Sequence, residues 1–582
     1  MKIKVILVIL ALLVGIGTIS AQDEPAPSLG EQTPRLRELD FSPFADELAN
    51  FSSERSAAID ALVLDATVPD IQAAMDAGEV TSEELTLYFL SRIQTYDDML
   101  RSYTEINANA IEEARAADAL RAEGTVLGPL HGIPVNLKDN IGTTAPMHTT
   151  GGAEILLNWV PPEDAPLVQQ LRAAGAVILG KANLSELAGA VNINPAGFTA
   201  VAGQTHNPHG PNFPTLGSSS GSGSSAAAYL TMVSVGSETN GSLIAPASLN
   251  GVVGMYPTDD LVPDEGVIPL VSFTDTAGPI TRSVVDAAIL LSVIDTADVD
   301  YTASLDANAL SGVTVGFLAA ELGPSPFLGL ASFEPDLSDQ AEKLQLIAET
   351  LSSAGANVVE ASTVRTEALT PTKEILFRIY APALGWTSME DMDASISEEE
   401  QAQALALLTP AYVLTSTYFN PFVAGGVQYD TVAYINAAVG QISTAADFMA
   451  YNLEMPETRI PDGQSTLDQF VPLLEATGMT EADYQEMGTL TEQLASEVLD
   501  ATFAAYDTDV LVSMVNEHST LYALAGYPAI TVPLGLRPNG QPTSVTFIGK
   551  PGQDAQLLAY AYAFEQASML RVNPNMDWAA AQ

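Results

Sequence analysis

Three stretches of the chain combine residue types that nucleophilic catalysis can use. Gly132-Ile-Pro-Val-Asn-Leu-Lys138-Asp-Asn-Ile141 sets a lysine stem in an apolar, strand-like context. Gly217-Ser-Ser-Ser-Gly-Ser-Gly-Ser-Ser225 is an island of glycine and serine, and Gly236-Ser-Glu-Thr-Asn-Gly-Ser242-Leu-Ile-Ala-Pro246 is a second turn of small residues. A serine hydroxyl is a poor nucleophile until a base takes its proton, so serines and a lysine in such settings are candidates for acyl transfer.

The island alone admits four readings. A flexible Gly/Ser linker is the plainest, but the apolar, helix-like run Ala226 to Val235 follows it directly. Gly221-Ser-Gly223-Ser-Ser-Ala226 superficially fits a dinucleotide fingerprint, yet no strand leads into it. Gly217-Ser-Ser219-Ser-Gly221 matches a nucleophile elbow, which needs a preceding strand and a late histidine. His518 is the one late candidate, and Asn212-Phe-Pro-Thr-Leu216, with its central proline, is a poor core strand. The fourth reading takes the island together with the other two segments as one constellation.

The elements that must position these segments alternate in type. Helical apolar spacing runs through Val68 to Ala77, Ser82 to Tyr96 and Ala108 to Glu123. Short β-branched runs between turn signals follow, at Gly132 to Leu137, Ala176 to Gly180 and Val252 to Met255, and return at Ala529 to Pro533 and Val545 to Gly549 before a helix over Asp554 to Met569. Strands alternating with helices predict an α/β layered core. Between about Ser311 and Asp509 the pattern loosens into helical stretches, Ser338 to Ala354, Glu398 to Leu408 and Thr480 to Tyr506, expected to face the substrate. Gln22 to about Asp40 has linker composition, and folding is expected to begin near residue 55.

The three segments resemble the amidase signature family, with the nearest echo in the branch that includes peptide amidases. Further segments carry the resemblance: Leu179-Gly-Lys-Ala-Asn-Leu-Ser-Glu-Leu-Ala188, Asn250-Gly-Val-Val-Gly254, Asp275-Thr-Ala-Gly-Pro279 and Ala525-Gly-Tyr-Pro-Ala-Ile-Thr-Val-Pro533. The resemblance implies a single large α/β/α layered domain with a central mixed sheet, spanning 55–582 behind a linker and N-terminal segment at 22–54. It implies an amidase acting on linear amides, with Lys138 as base, Ser218 as a bridging serine on a cis peptide bond after Gly217, and Ser242 as nucleophile. It also implies that Ser219 supports Lys138 by hydrogen bonding. No cofactor and no metal are expected.

The chemistry fits those roles. The chain has no cysteine, and its five histidines, His131, His148, His206, His209 and His518, hold no His-Glu-x-x-His pattern. His206 and His209, the one close pair, read as loop residues. A lysine can act as a base if burial disfavours its ammonium form, and Ile133, Val135, Leu137 and Ile141 could desolvate Lys138. Asp139 would oppose this unless strand alternation points it away. Amide cleavage passes through an oxyanion, for which the backbone N–H groups of Thr239, Asn240, Gly241 and Ser242 could form a nest.

Composition narrows the partners. Lys+Arg is 21 against Asp+Glu 72, a formal net charge of −51, which repels phosphate backbones and makes nucleic acid an unsuitable partner. A small-molecule or peptide amide is expected instead. Lys2 and Lys4, the apolar run Val5 to Ile19 and Ser20-Ala21 have the layout of a signal peptide over 1–21, predicting a secreted or periplasmic protein with no membrane span after cleavage. Two positions depart from the family pattern: Ile244 stands where many members carry arginine, and Tyr256 where lysine is usual. The missing arginine, the leader and the charge argue against a component of a tRNA amidotransferase. An esterase using the same triad, or an inactive binding protein on this fold, are the alternatives.

Overall fold

The computed structural model describes residues 35–318, 339–366 and 419–580, together with 368–369, 388–391, 410 and 414. The first twenty-one residues and the expected helix Glu398 to Leu408 lie outside them.

Thirteen strands are present among the described residues: β1 Tyr103–Ile106, β2 Pro134–Lys138, β3 Val177–Ala182, β4 Phe198–Thr199, β5 Gly203–Gln204, β6 Val233–Glu238, β7 Val253–Tyr256, β8 Thr276–Thr281, β9 Thr314–Phe317, β10 Asn357–Glu360, β11 Val510–Met514, β12 Ala529–Leu536 and β13 Pro542–Ile548. Eleven form one mixed sheet in the order β1-β3-β2-β6-β8-β7-β12-β13-β11-β9-β10, while β4 and β5 pair separately. Helices flank the sheet and close an α/β core. β2, β3, β6 and β7 are buried at every position, which is why they read as near-continuous apolar or small-residue runs rather than alternating ones.

β2 lies parallel to β3 on one side and to β6 on the other, with Leu137 opposite Val235 and Lys138 opposite Ala182. Their carboxyl ends therefore point the same way, the side on which open α/β sheets place their ligands. β8 runs antiparallel to β6 and begins where β6 ends, Glu238 facing Thr276. Lys138, the turn after Glu238 and Asp275 are thereby brought to one rim of the sheet.

Helix ends follow local signals. Thr81 and Glu84 form a reciprocal capping box at the start of Ser82–Leu100, and Thr480 and Asp483 do the same for Glu481–Tyr506. The island behaves differently from its composition: Ser220–Ala227 is a buried helix. The expected helix-like run Ala226 to Val235 is a correction, because the helix stops at Ala227 and β6 begins at Val233. The apolar residues there are buried in both elements, so hydrophobicity alone does not distinguish them.

Two other expectations change. The chain is packed from Arg35, ahead of the boundary expected near residue 55: Arg35 donates to the Asp97 carboxylate at 3.0 Å, Phe44 is buried and Ala45–Asn50 is helical. The region from 311 to 509 is not only helical, since β9 and β10 extend the sheet to its far edge. Each has four residues, short for a sequence signal.

Arg282, just beyond β8, ties the serine-rich helix to the sheet. Its Nη1 donates to the carbonyls of Ala226 at 3.1 Å and Thr231 at 2.8 Å, and its guanidinium lies 4.4 Å from the Tyr229 ring centre. Arg282→Met leaves the buried Thr231 carbonyl unpaired and takes a charged donor from the Ala226 carbonyl, which keeps its backbone donor from Tyr229, and is expected to lower unfolding free energy by about 2 kcal/mol in urea titration.

Candidate active site

Lys138 closes β2 and is fully buried. Its Nζ donates to Ser218 Oγ at 2.7 Å, to the Ser237 carbonyl at 2.9 Å and to Ser237 Oγ at 3.0 Å. Asn140 Nδ2 donates to Ser237 Oγ at 2.9 Å, which positions that hydroxyl from the other side. Burial pushes the Lys138 amine down to about 7, against the opposing pull of the Asp275 and Glu238 charges. Asp139 is turned away: it accepts from Thr150 and lies 3.6 Å from the ammonium of Lys181. Alternation along β2 thus separates the carboxylate from the amine beside it.

Ser218 is joined to Gly217 by a cis peptide bond. Its carbonyl accepts from the Ser185 N–H at 2.9 Å. Gly217 has no room for a side chain, since a Cβ there would collide with Ser185 Oγ. Ser219 does not reach Lys138, a correction to the expected contact. Its Oγ donates to the Ser237 carbonyl at 2.8 Å, and its N–H donates to the Ser242 carbonyl at 3.2 Å. Starting the helix at Ser220 turns that side chain toward β6, so its support for the lysine passes through Ser237.

Ser242 is 7 % exposed, and its Oγ has no hydrogen-bond partner among the described residues. The structure joins Lys138 to Ser218, and Ser219 to Ser242, but holds no hydrogen bond between the hydroxyls of Ser218 and Ser242. No histidine among the described residues bonds to either serine. His209 Nε2 contacts the Asn250 carbonyl at 3.2 Å, and burial lowers both His206 and His209 to about 4.

The turn after β6 is organised by two carboxylates. Glu238 accepts from the N–H groups of Gly241 at 2.5 Å, Leu243 at 2.7 Å and Ile244 at 3.1 Å, and from Tyr522 Oη at 3.0 Å. Asp275 accepts from Thr239 Oγ1 and from the N–H groups of Leu270 at 2.7 Å and Val271 at 3.0 Å, and burial raises its carboxyl to about 7. Gly241 is consequently removed from the expected nest, because its N–H is occupied by Glu238. No described residue accepts from the N–H groups of Asn240 and Ser242, and Thr239 is held by its side chain rather than by Glu238. Gly241 has φ +78°, a conformation glycine adopts without strain.

Reasoning from sequence misses Ser237, Glu238, Asn140 and Asp275 as members of the site. Glu238 sits inside the small-residue turn and Asp275 opens a family-like motif, so their positions are visible while their roles require the β6–β8 pairing. Of the two departures, Ile244 is buried with its N–H on Glu238, and Tyr256 is a core residue whose Oη donates to the carbonyls of Thr274 at 3.1 Å and Ala523 at 3.3 Å.

Comparison with known proteins places this geometry. The family profile described as Amidase matches residues 84–411. The chain belongs to the amidase family. It is 31% identical over 519 residues to a probable amidase of Arabidopsis thaliana, covering 88% of this chain and 92% of that protein. It is also 31% identical over 517 residues to a glutamyl-tRNA(Gln) amidotransferase subunit of Moorella thermoacetica, covering 86% of this chain and 96% of the relative. Among solved structures, the native peptide amidase of Stenotrophomonas maltophilia superposes with a TM-score of 0.70 at 33% identity, covering 88% of this chain and 99% of that one. This amidase is an amide-hydrolysing enzyme of the Ser-Ser-Lys family.

The lowered lysine predicts a pH limb. Neutral Lys138 rises from a minor to the major form as pH increases through about 7, so kcat/KM should climb across that range. Gly241→Ala forces a side chain into the left-handed region and toward Asn516 Nδ2, 3.0 Å from the new Cβ, and is expected to cut kcat by about tenfold or more in steady-state assays.

Proposed function

We propose that this amidase is an exported enzyme that hydrolyses a carboxamide C–N bond through an acyl-enzyme on Ser242. The observation that carries the proposal is the fully buried Lys138, its amine lowered to about 7 and 2.7 Å from Ser218 Oγ. Neutral Lys138 takes the Ser218 proton as Ser218 takes that of Ser242, and Ser242 Oγ attacks the substrate carbonyl. The N–H groups of Thr239, Asn240 and Ser242 face the developing oxyanion. Collapse of the tetrahedral intermediate breaks the C–N bond, with the proton returning through Ser218 to the leaving nitrogen. Water then gives up a proton through the same relay to Lys138 as its oxygen attacks the acyl carbon, and the Ser242 Oγ–C bond breaks as that proton returns through Ser218 to Ser242 Oγ, releasing the carboxylic acid and free Ser242.

Export is supported by the basic and apolar leader at 1–21, and no helix among the described residues is long and apolar enough to cross a membrane. Ile244 in place of an arginine, with the net charge of −51, favours a free-standing hydrolase over a component of an amidotransferase.

A fluorophosphonate probe is expected to label Ser242 in the purified enzyme, and Lys138→Ala and Ser242→Ala to lose at least about 1,000-fold in amine or ammonia release. Full turnover by either variant would overturn the triad. A kcat/KM advantage for a matched ester as large as that of Ser-His enzymes would assign the site to ester hydrolysis, and a protein that binds ligand without taking the probe would be a binding protein.

A further inference from the structure

The loop that carries Asp275 is clasped by helices drawn from the region after residue 419. Thr431 Oγ1 donates to the Pro269 carbonyl at 2.8 Å, and Asp430 accepts from the Ser272 N–H at 2.8 Å and from Tyr484 Oη at 2.5 Å. Asp430 and Thr431 belong to a π-helical turn, Val427–Thr431, a geometry that is rare in proteins and frequent at functional sites. Gly426 makes the approach possible, since a Cβ there would collide with the Leu270 carbonyl oxygen.

Phe273 is the plug of this clasp. Its ring centre lies 5.6 Å from those of Phe422 and Tyr484, edge-on to the tyrosine, and a Cβ on Gly488 would stand 2.8 Å from its ring carbons. Gly488 lies inside the helix Glu481–Tyr506, where alanine is the better helix former, so the ring it admits accounts for the missing side chain. The opposite flank of the loop is open, because Ser272, Phe273 and Asp275 line a cavity of about 230 Å³. Two residues beyond the plug, Asp275 folds back on the N–H groups of Leu270 and Val271 and accepts from Thr239 Oγ1. The loop is thus closed on itself, and a displacement of Phe273 is carried to the Asp275 carboxylate.

We infer that Phe273 is a positioning residue for the reaction: packed among Phe422, Tyr484 and Gly488, it sets Asp275, which through Thr239 sets the direction in which the nucleophile turn presents its N–H groups. The inference rests on Ser242 as the nucleophile. The helical region from 419 to 506 thereby acts on the turn through the loop. Magnitudes support this. An alanine at 488 must push the ring out by roughly 0.7 Å to restore an ordinary carbon–carbon separation of about 3.5 Å. A catalytic constellation must be held within roughly 0.5 Å of its productive geometry.

The test is a double-mutant cycle, read by the limiting rate and the half-saturating concentration of fluorophosphonate labelling at Ser242. Gly488→Ala is expected to lower the limiting rate about tenfold and leave the half-saturating concentration unchanged, since the donors are misdirected while the rest of the site stays in place. Thr239→Val cuts the link to Asp275 and should itself lower the rate about 30-fold. In that background Gly488→Ala should cost less than about twofold, because the path it acts through is already broken. Phe273→Leu makes room for the added methyl group and should recover most of the loss in Gly488→Ala. Circular dichroism melts establish that each variant is folded, and Phe273→Ala takes the place of Gly488→Ala in the cycle should that variant fail to fold. Equal losses from Gly488→Ala with and without Thr239→Val, or an unmoved rate in Gly488→Ala, overturn the inference. A wild-type enzyme that does not take the probe at Ser242 overturns the nucleophile reading and the inference with it, whereas labelling at Ser242 with equal losses overturns only the role of Phe273.

Discussion

Burying an amine is costly, and Lys138 is buried completely at the end of a strand that has no exposed residue. The surrounding structure offsets that cost with hydrogen bonds to its amine: Ser218 Oγ, the Ser237 carbonyl and Ser237 Oγ converge on Nζ, and Asn140 and Ser219 hold Ser237 in turn. Desolvation lowers the proton affinity while the nearby charges of Glu238 and Asp275 limit the fall. An amine poised near 7 is the outcome of these opposing effects, and it suits a group that must both accept and return a proton.

The same carboxylates shape the nucleophile turn. Glu238 gathers three N–H groups of that turn and one tyrosine hydroxyl, and Asp275 anchors Thr239 to the loop before β8. Their positions follow from the antiparallel pairing of β6 with β8, which sets Glu238 opposite Thr276. One strand pairing thus serves both the charge balance at Lys138 and the direction of the N–H groups after Glu238. A catalytic arrangement built on strand ends gains precision, because each side chain inherits the rigidity of the sheet.

Much of the site is legible in the chain because its parts are local. Lys138 lies within an apolar strand signal, and Ser218 and Ser242 sit in turns whose small residues are unusual enough to be noticed without coordinates. The alternating elements likewise indicate a layered α/β core. Less visible are Ser220–Ala227 as a buried helix, where glycine and serine suggest a loop, and β9 and β10, whose four residues carry little pattern. In each case tertiary packing outweighs local propensity.

By itself the sequence determined which groups are present to do chemistry: a lysine in an apolar strand, two serines in small-residue turns, no cysteine, and a family-like order of motifs. Only the tertiary structure decided which of them meet. Ser237 became the hub of Lys138, Ser219 became its indirect support, and Gly241 gave up its N–H to Glu238. Asn516, far along the chain, arrived beside Gly241. Each of these outcomes depends on strand pairing and on contacts between residues distant in sequence, and hydrogen-bond geometry over such separations exists only after the chain has folded.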